Sequence, residues 1–165
     1  MAYVDISNFA SGFNKVAYNE QTITDLTSFI NDKEELILTE LFGKELFELF
    51  KAGVIAETAK YMKLKNPFID QLQSCRVIQS KGVAEMLAGF IYFDYSRFQA
   101  TMPTVSGRVT PKGENSNVAS FNVGLITEKY LKALDTYEAI QLYIIDNLSL
   151  YPTFNGIEKF PILAL

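Results

Sequence analysis

Val83-Ala84-Glu85-Met86-Leu87-Ala88-Gly89-Phe90-Ile91-Tyr92-Phe93-Asp94-Tyr95-Ser96-Arg97-Phe98 is the stretch on which the reading of this chain turns. It has helix-forming residues throughout and apolar side chains on nearly every side. A helix of that kind must be covered all round, either at the centre of a bundle or partly by another subunit. Ala84, Ala88 and Gly89 are small enough to let neighbouring helices approach closely. The strongly apolar core, Met86 to Phe93, is bounded by Glu85 and Asp94. It is less than half of the ~20 residues needed to span a bilayer, so the expectation is a soluble protein with no membrane partner. Asp94 sits in an otherwise apolar turn, and Arg97, three residues on, is its expected ion-pair partner.

Upstream, Asn66-Pro67 predicts a helix start, since proline suits a first turn, with an interruption at Ser80-Lys81-Gly82. Residues 53–66 read as a connection whose Lys60, Lys63 and Lys65 form a solvated face. Before them, Leu26, Phe29 and Ile30 mark a short helix beginning near Thr24. A second start is predicted at Asn31-Asp32, ahead of Glu34 and Glu35. Leu38, Phe42, Leu46, Leu49 and Phe50 continue at helical spacing to Ala52-Gly53. Gly43 interrupts this stripe, and a glycine inside a helix costs about 1 kcal/mol against alanine, so a break or kink is expected there. Glu34, Glu35, Glu40, Glu45 and Glu48 flank the stripe as solvated charge. Residues 1–21 read as an extended N-terminal arm, with a short strand at Tyr3-Val4-Asp5-Ile6, and carry no basic or long apolar run of a signal peptide.

Downstream the pattern changes. Met102-Pro103 stops the helix, and residues 101–124 are rich in Gly, Pro, Thr, Ser and Asn. About two dozen residues is far more than the ~2–8 usual between bundle helices. Alternation at Val105, Gly107 and Val109, with a turn near Pro111-Gly113, predicts a projecting hairpin. Thr127 is the expected N-cap of a last helix, with Glu128 in its first turn. Tyr130, Ala133, Leu134, Tyr137, Ile140, Ile144 and Leu148 form its inward stripe, and Pro152 ends it. The tail closes with Phe160-Pro161-Ile162-Leu163-Ala164-Leu165. So apolar a segment either folds back on its own bundle or docks on a neighbour.

Composition narrows the function. The chain has 165 residues, 48% of them hydrophobic, enough for one well-packed domain. Its net charge of −4 argues against a protein built to grip DNA phosphates. It has no histidine, which excludes Ser-His-Asp and Cys-His catalysis and His-ligated metals. Cys75 is the only cysteine, so neither an internal disulfide nor a thiolate cluster can form, which fits a reduced intracellular setting. Its apolar neighbours Leu72, Val77 and Ile78 predict a small buried hydrophobe. Phosphate-loop spacing and Gly-x-Ser-x-Gly are absent. The expectation is a protein that is not an enzyme and uses no cofactor and no metal. The fold class expected is mainly α: a bundle of about four to five helices with a long projecting β-hairpin-like loop and extended terminal arms. Within that single domain the helices occupy 22–100 and 125–151, the loop 101–124 and the C-terminal arm 152–165.

The order of these parts resembles the head–tail connector (adaptor) family of tailed bacteriophages over roughly residues 22–150. The likeness lies in the early short helix, the acidic helix running into Glu40-Leu41-Phe42-Gly43-Lys44-Glu45-Leu46-Phe47, and the apolar helix Gly82 to Phe98. An extended loop with Val105-Ser106-Gly107-Arg108-Val109 and Gly113-Glu114-Asn115-Ser116 follows, then a closing helix. The resemblance implies a virion protein, assembled in the host bacterial cytoplasm as a ring of about twelve copies under the portal vertex. Such a ring joins head to tail and extends the DNA channel. Its partners are further copies of itself, the portal protein and other neck or tail proteins, and DNA passes without specific binding. By the same likeness the subunit and portal contacts fall on Val105, Gly107, Val109, Glu114, Asn115 and Ser116, and on Phe160, Pro161, Ile162, Leu163 and Leu165. A different class of function fits the same loop and tail: a small helical binding or regulatory module that recognises a protein partner through one of them.

Overall fold

A computed structural model describes residues 2–10, 14–15, 20–100, 102–104, 107–109 and 123–155. The chain is mainly helical, as the periodicity predicts, with five α-helices and two small antiparallel hairpins among the described residues. Helix α1 (Glu20–Phe42) is one continuous rod, not two short helices. Asn31 and Asp32 lie exposed on its outer side, while Leu26, Ile30, Ile37, Leu38 and Leu41 stay in phase as one buried stripe. With no glycine or proline between them, nothing breaks the ladder. The break comes at Gly43, whose φ of 74° places it in the left-handed region that glycine enters without strain. Gly43 closes α1 by donating to the Thr39 carbonyl at 2.8 Å and opens α2 (Lys44–Ile55) by accepting from Phe47.

The expected connection over 53–66 contains a third helix, α3 (Ala59–Lys65), which buries Tyr61 and Leu64. Asn66-Pro67 starts a strand and not a helix. The residue before proline is pushed toward extended backbone, and Asn66 has φ −87° and ψ 161°. Strands β1 (Phe68–Gln71) and β2 (Val77–Ser80) then pair with Phe68 opposite Ser80 and Gln71 opposite Val77. Cys75 lies in the turn between them with φ 63°, exposed, and not buried as its neighbours in sequence predict. Those neighbours alternate across a strand pair, so Ile78 points inward while Val77 and Cys75 do not.

Gly82, at φ 88°, leads into α4 (Val83–Ala100), the apolar helix of the sequence analysis. It is buried on most sides and packs most extensively on α5 (Val123–Asp146). The two backbones meet at Gly89, where an added Cβ would stand 2.8 Å from the Ala133 Cβ. Helix α5 begins a turn before the expected cap at Thr127, because burying Ile126 extends the stripe of Ala133, Tyr137, Ile140 and Ile144. It ends at Asp146, ahead of the expected stop at Pro152. Leu148 lies beyond it, exposed, and Tyr151 and Phe154 fold back into the core. Asp94 finds its basic partner across the bundle, Lys33 of α1 at 2.9 Å.

The N-terminal arm lies on the bundle. Residues Tyr3 to Ile6 do not form the expected strand; a 3-10 turn (Ile6–Phe9) follows Asp5, whose carboxylate caps Ser7. Tyr3, Val4 and Phe9 are buried. Glu34 holds the arm in place and is not solvated charge: its carboxylate accepts from the Tyr3 amide at 3.0 and 3.1 Å and from Val4 at 3.2 Å. Burial keeps the Glu34 carboxyl above its ordinary pKa of 4.5, although these amides pull the other way. Burial, with Glu34 and Glu48 nearby, also pushes the Tyr3 phenol up to about 12.

Glu34→Ala is expected to cost about 1–2 kcal/mol in denaturant unfolding, since both arm amides lose their acceptor. Glu34→Gln keeps an acceptor oxygen, removes a desolvated charge, and should stay within about 0.5 kcal/mol. A raised carboxyl pKa means the folded state holds its proton more tightly than the unfolded one. Its stabilising contribution is therefore full below about 4.5 and is lost as pH rises through the raised value. Glu34→Gln should flatten the stability profile in that window, and an unaltered profile removes Glu34 as its source.

Candidate functional site

Two of the sequence candidates, Gly107 and Val109, lie on a described element. They belong to β4 (Gly107–Val109), which pairs antiparallel with β3 (Met102–Thr104); Met102 stands opposite Val109 and Thr104 opposite Gly107. A hairpin is present in the long connection, but it begins directly after α4 and reverses between Thr104 and Gly107, not near Pro111-Gly113 as the alternation predicts, because Met102-Pro103 themselves enter the first strand. Val105, Glu114, Asn115, Ser116, Phe160, Pro161, Ile162, Leu163 and Leu165 lie outside the described residues, as does the turn expected at Pro111-Gly113. Among the described elements, β3 and β4 pack closely only on each other. An isolated two-stranded hairpin is at best marginally stable in water.

The sequence did not mark the other hairpin as a surface. Phe68, Ile78 and Ser80 of β1–β2 turn toward the bundle, where Phe68 meets Tyr143 of α5 at 5.2 Å between ring centroids. The opposite face carries Ile69, Gln71, Val77 and Gln79, all exposed, with Ile69 at 69% and Val77 at 65%. The register places Ile69 and Val77 diagonally across the strand pair, close enough to form one apolar spot. No residue of this face carries a charge. Lys63 pins the hairpin from α3 by an ion pair with Asp70 at 2.6 Å, which raises the lysine pKa and lowers that of the carboxyl. Asp146 accepts from the Gln73 amide at the turn. These contacts tie the hairpin to α3 and α5. The available signal was the alternation Phe68-Ile69-Asp70-Gln71 and Val77-Ile78-Gln79-Ser80, which the Pro67 helix reading masked.

A cleft of about 760 Å³ opens where α4, α5 and β2 meet, lined by Asn14, Lys81, Glu85, Lys129, Asp135 and Thr136 among others. Its polar groups largely bind one another. Asn14 donates to Glu85 at 3.2 Å, Thr136 accepts from the Lys81 amide at 3.4 Å, and Lys132 pairs with Glu128 at 2.7 Å. The buried Lys129 ammonium lies 3.3 Å from the centre of the Tyr92 ring. These contacts stitch the arm and the first hairpin to the helices. Among the described residues no group of three or more His, Cys, Asp or Glu could hold a metal ion, and no helix is long and apolar enough to cross a membrane. Compared with protein-family models, curated proteins and solved structures, the chain has no match.

Proposed function

We propose that this chain is a structural, non-catalytic virion subunit that assembles into a ring at the portal vertex, joining head to tail and extending the DNA channel. One observation carries the reading: the chain buries a core of its own, and the hairpin that follows its central helix packs chiefly strand on strand among the described elements. The order of parts, which resembles the connector family, gives that hairpin its purpose as a contact between subunits or with the portal. The net charge of −4 suits a channel wall that must let DNA slide, since repeated acidic subunits repel phosphates. Each copy supplies the same contacts, so a closed ring leaves none unpaired.

Particle mass and electron microscopy of the purified chain, alone and mixed with a portal protein, test this. Annular particles are expected; a protein that stays monomeric in both conditions overturns the proposal. The apolar tail has its own test. At ~25 cal/mol per Å2, a docked segment burying a few hundred Å2 contributes several kcal/mol per contact before ordering costs. Removing residues 160–165 should leave a folded protein that assembles poorly, read as mass against concentration, and unchanged assembly takes the tail out of the interface.

A further inference from the structure

We infer that the outer edge of β1 pairs with the same edge of a second copy, antiparallel and two-fold about Ile69. The strand ladder shows which backbone groups are available. The Leu72 amide donates to the Arg76 carbonyl at 2.9 Å, one step beyond the last pair of the register, Gln71 opposite Val77. Hydrogen-bonded and non-bonded partners alternate along an antiparallel pair, so Phe68, Asp70 and Leu72 bond to β2. Ile69 and Gln71 therefore turn their amides and carbonyls away from it. Strand β2 lies against α5, whereas β1 runs chiefly against β2, which leaves that outward side open among the described elements. The Gln71 amide donates there to the Asp70 side chain at 2.9 Å, and Ile69 is 69% exposed. The register has no bulge, and the outer face has no charge to blunt the edge.

The order of residues along the strand makes a second copy the matching occupant. Centred on Asp70, a two-fold pairing sets like carboxylates opposite each other, which is destabilising. Centred on Phe68, it sets each Ile69 opposite Pro67, which has no amide to return a bond. Centred on Gln71, it runs past the strand into the turn. Centred on Ile69, it meets none of these problems. The two Ile69 residues exchange both backbone bonds, and Asp70 stands opposite Phe68 and keeps its ion pair with Lys63. Each Gln71 amide passes from the Asp70 side chain to a Pro67 carbonyl, and proline leaves no donor unmet. The Ile69 side chains then meet on the outer face, with each Val77 on the diagonal. Two marginal ribbons become one four-stranded sheet with an apolar centre. So short an edge falls below the ~1,200 Å2 of a stable interface, so the pairing is reversible and concentration-dependent. A two-fold contact is not the head-to-tail contact that closes a ring, and it does not rest on the ring reading.

Cysteine placement reads the register. Cys75→Ser removes the only native cysteine. In that background Ile69→Cys, mildly oxidised near its solubility limit, should give a disulfide-linked dimer, because hydrogen-bonded partners lie about 5.5 Å apart between Cα atoms. Gln71→Cys, also exposed on the same face, should stay unlinked, since its two copies would stand about 14 Å apart along the strands. In sedimentation the unmodified chain should form dimers as concentration rises, and Ile69→Lys should weaken them by about tenfold or more by opposing like charges. Both positions are exposed, so circular dichroism and thermal unfolding should stay as in the parent. Equal linking at 69 and 71, no linking at either, or association indifferent to Ile69→Lys overturns the pairing. Rings that form with no link at 69 overturn it and leave the ring reading standing. A linked dimer that never forms rings, even beside a portal protein, supports the pairing and removes the ring.

Discussion

Phe50→Ala should destabilise the protein by about 3–5 kcal/mol, and lower its melting temperature by about 10 °C or more. Phe50 is fully buried and sits at the crossing of the aromatic rings that tie the chain together. Its ring lies 4.6 Å from Phe42, 5.4 Å from Tyr3 and 6.3 Å from Tyr61. From Tyr61 the rings run on through Tyr151 and Tyr143 to Phe68, each 5.2–6.3 Å from the last. One side chain thus touches the arm, α1 and α3 from its place on α2. Truncation leaves a cavity that three separate elements border, and no one of them can collapse into it without losing other contacts. Phe50→Leu keeps most of the volume and should cost less than about 1.5 kcal/mol. Hydrogen exchange gives a second readout: the Tyr3 and Val4 amides should lose protection in Phe50→Ala, because the arm loses the ring it stacks on. An alanine variant as stable as the parent would mean these rings do not share one core.

Gly53→Ala should also destabilise, by about 1–3 kcal/mol, although alanine is the better helix former by up to about 1 kcal/mol. Contact decides the sign. An added Cβ would lie 1.9 Å from Tyr61 Cδ2 and 2.6 Å from its Cγ, so it meets the body of the ring and not a mobile tip. Tyr61 is buried between Phe50 and Tyr151 and has little room to retreat. Replacing Tyr61 by alanine removes the obstacle. In that background Gly53→Ala should become neutral or mildly stabilising, and this reversal, measured by a double-mutant cycle in urea, is what a simple propensity effect would not give.

Gly43, which interrupts the stripe, and Gly53, beyond its last residue, show what a sequence can and cannot say. Gly43 was legible, because a glycine in a helical stripe has a conformational meaning that needs no neighbour, and its φ of 74° bears this out. Gly53 was read as the end of a helix, whereas it lies inside α2 to make room for Tyr61, which is a fact about another element. Glu34 follows the same rule. Its place beside an apolar stripe predicts solvation, and only the arm, 30 and 31 residues earlier in the chain, turns it into an acceptor for Tyr3 and Val4. Asp94 has a suitable local partner three residues away, yet its ion pair to Lys33 comes from across the bundle.

What the sequence determined by itself is the helical class, the central apolar helix and the presence of a hairpin in the connection after it, though not its register. Local periodicity and a proline carry that information within a few residues. The tertiary structure alone decided that Asn66-Pro67 opens a strand, that Cys75 faces water, and that Ile69 and Val77 form an apolar spot on a face without charge. Proline favours a helix's first turn and extended backbone before it almost equally, so residues far along the chain, Tyr143 and Asp146 of α5, tip the balance by giving the first hairpin something to pack on.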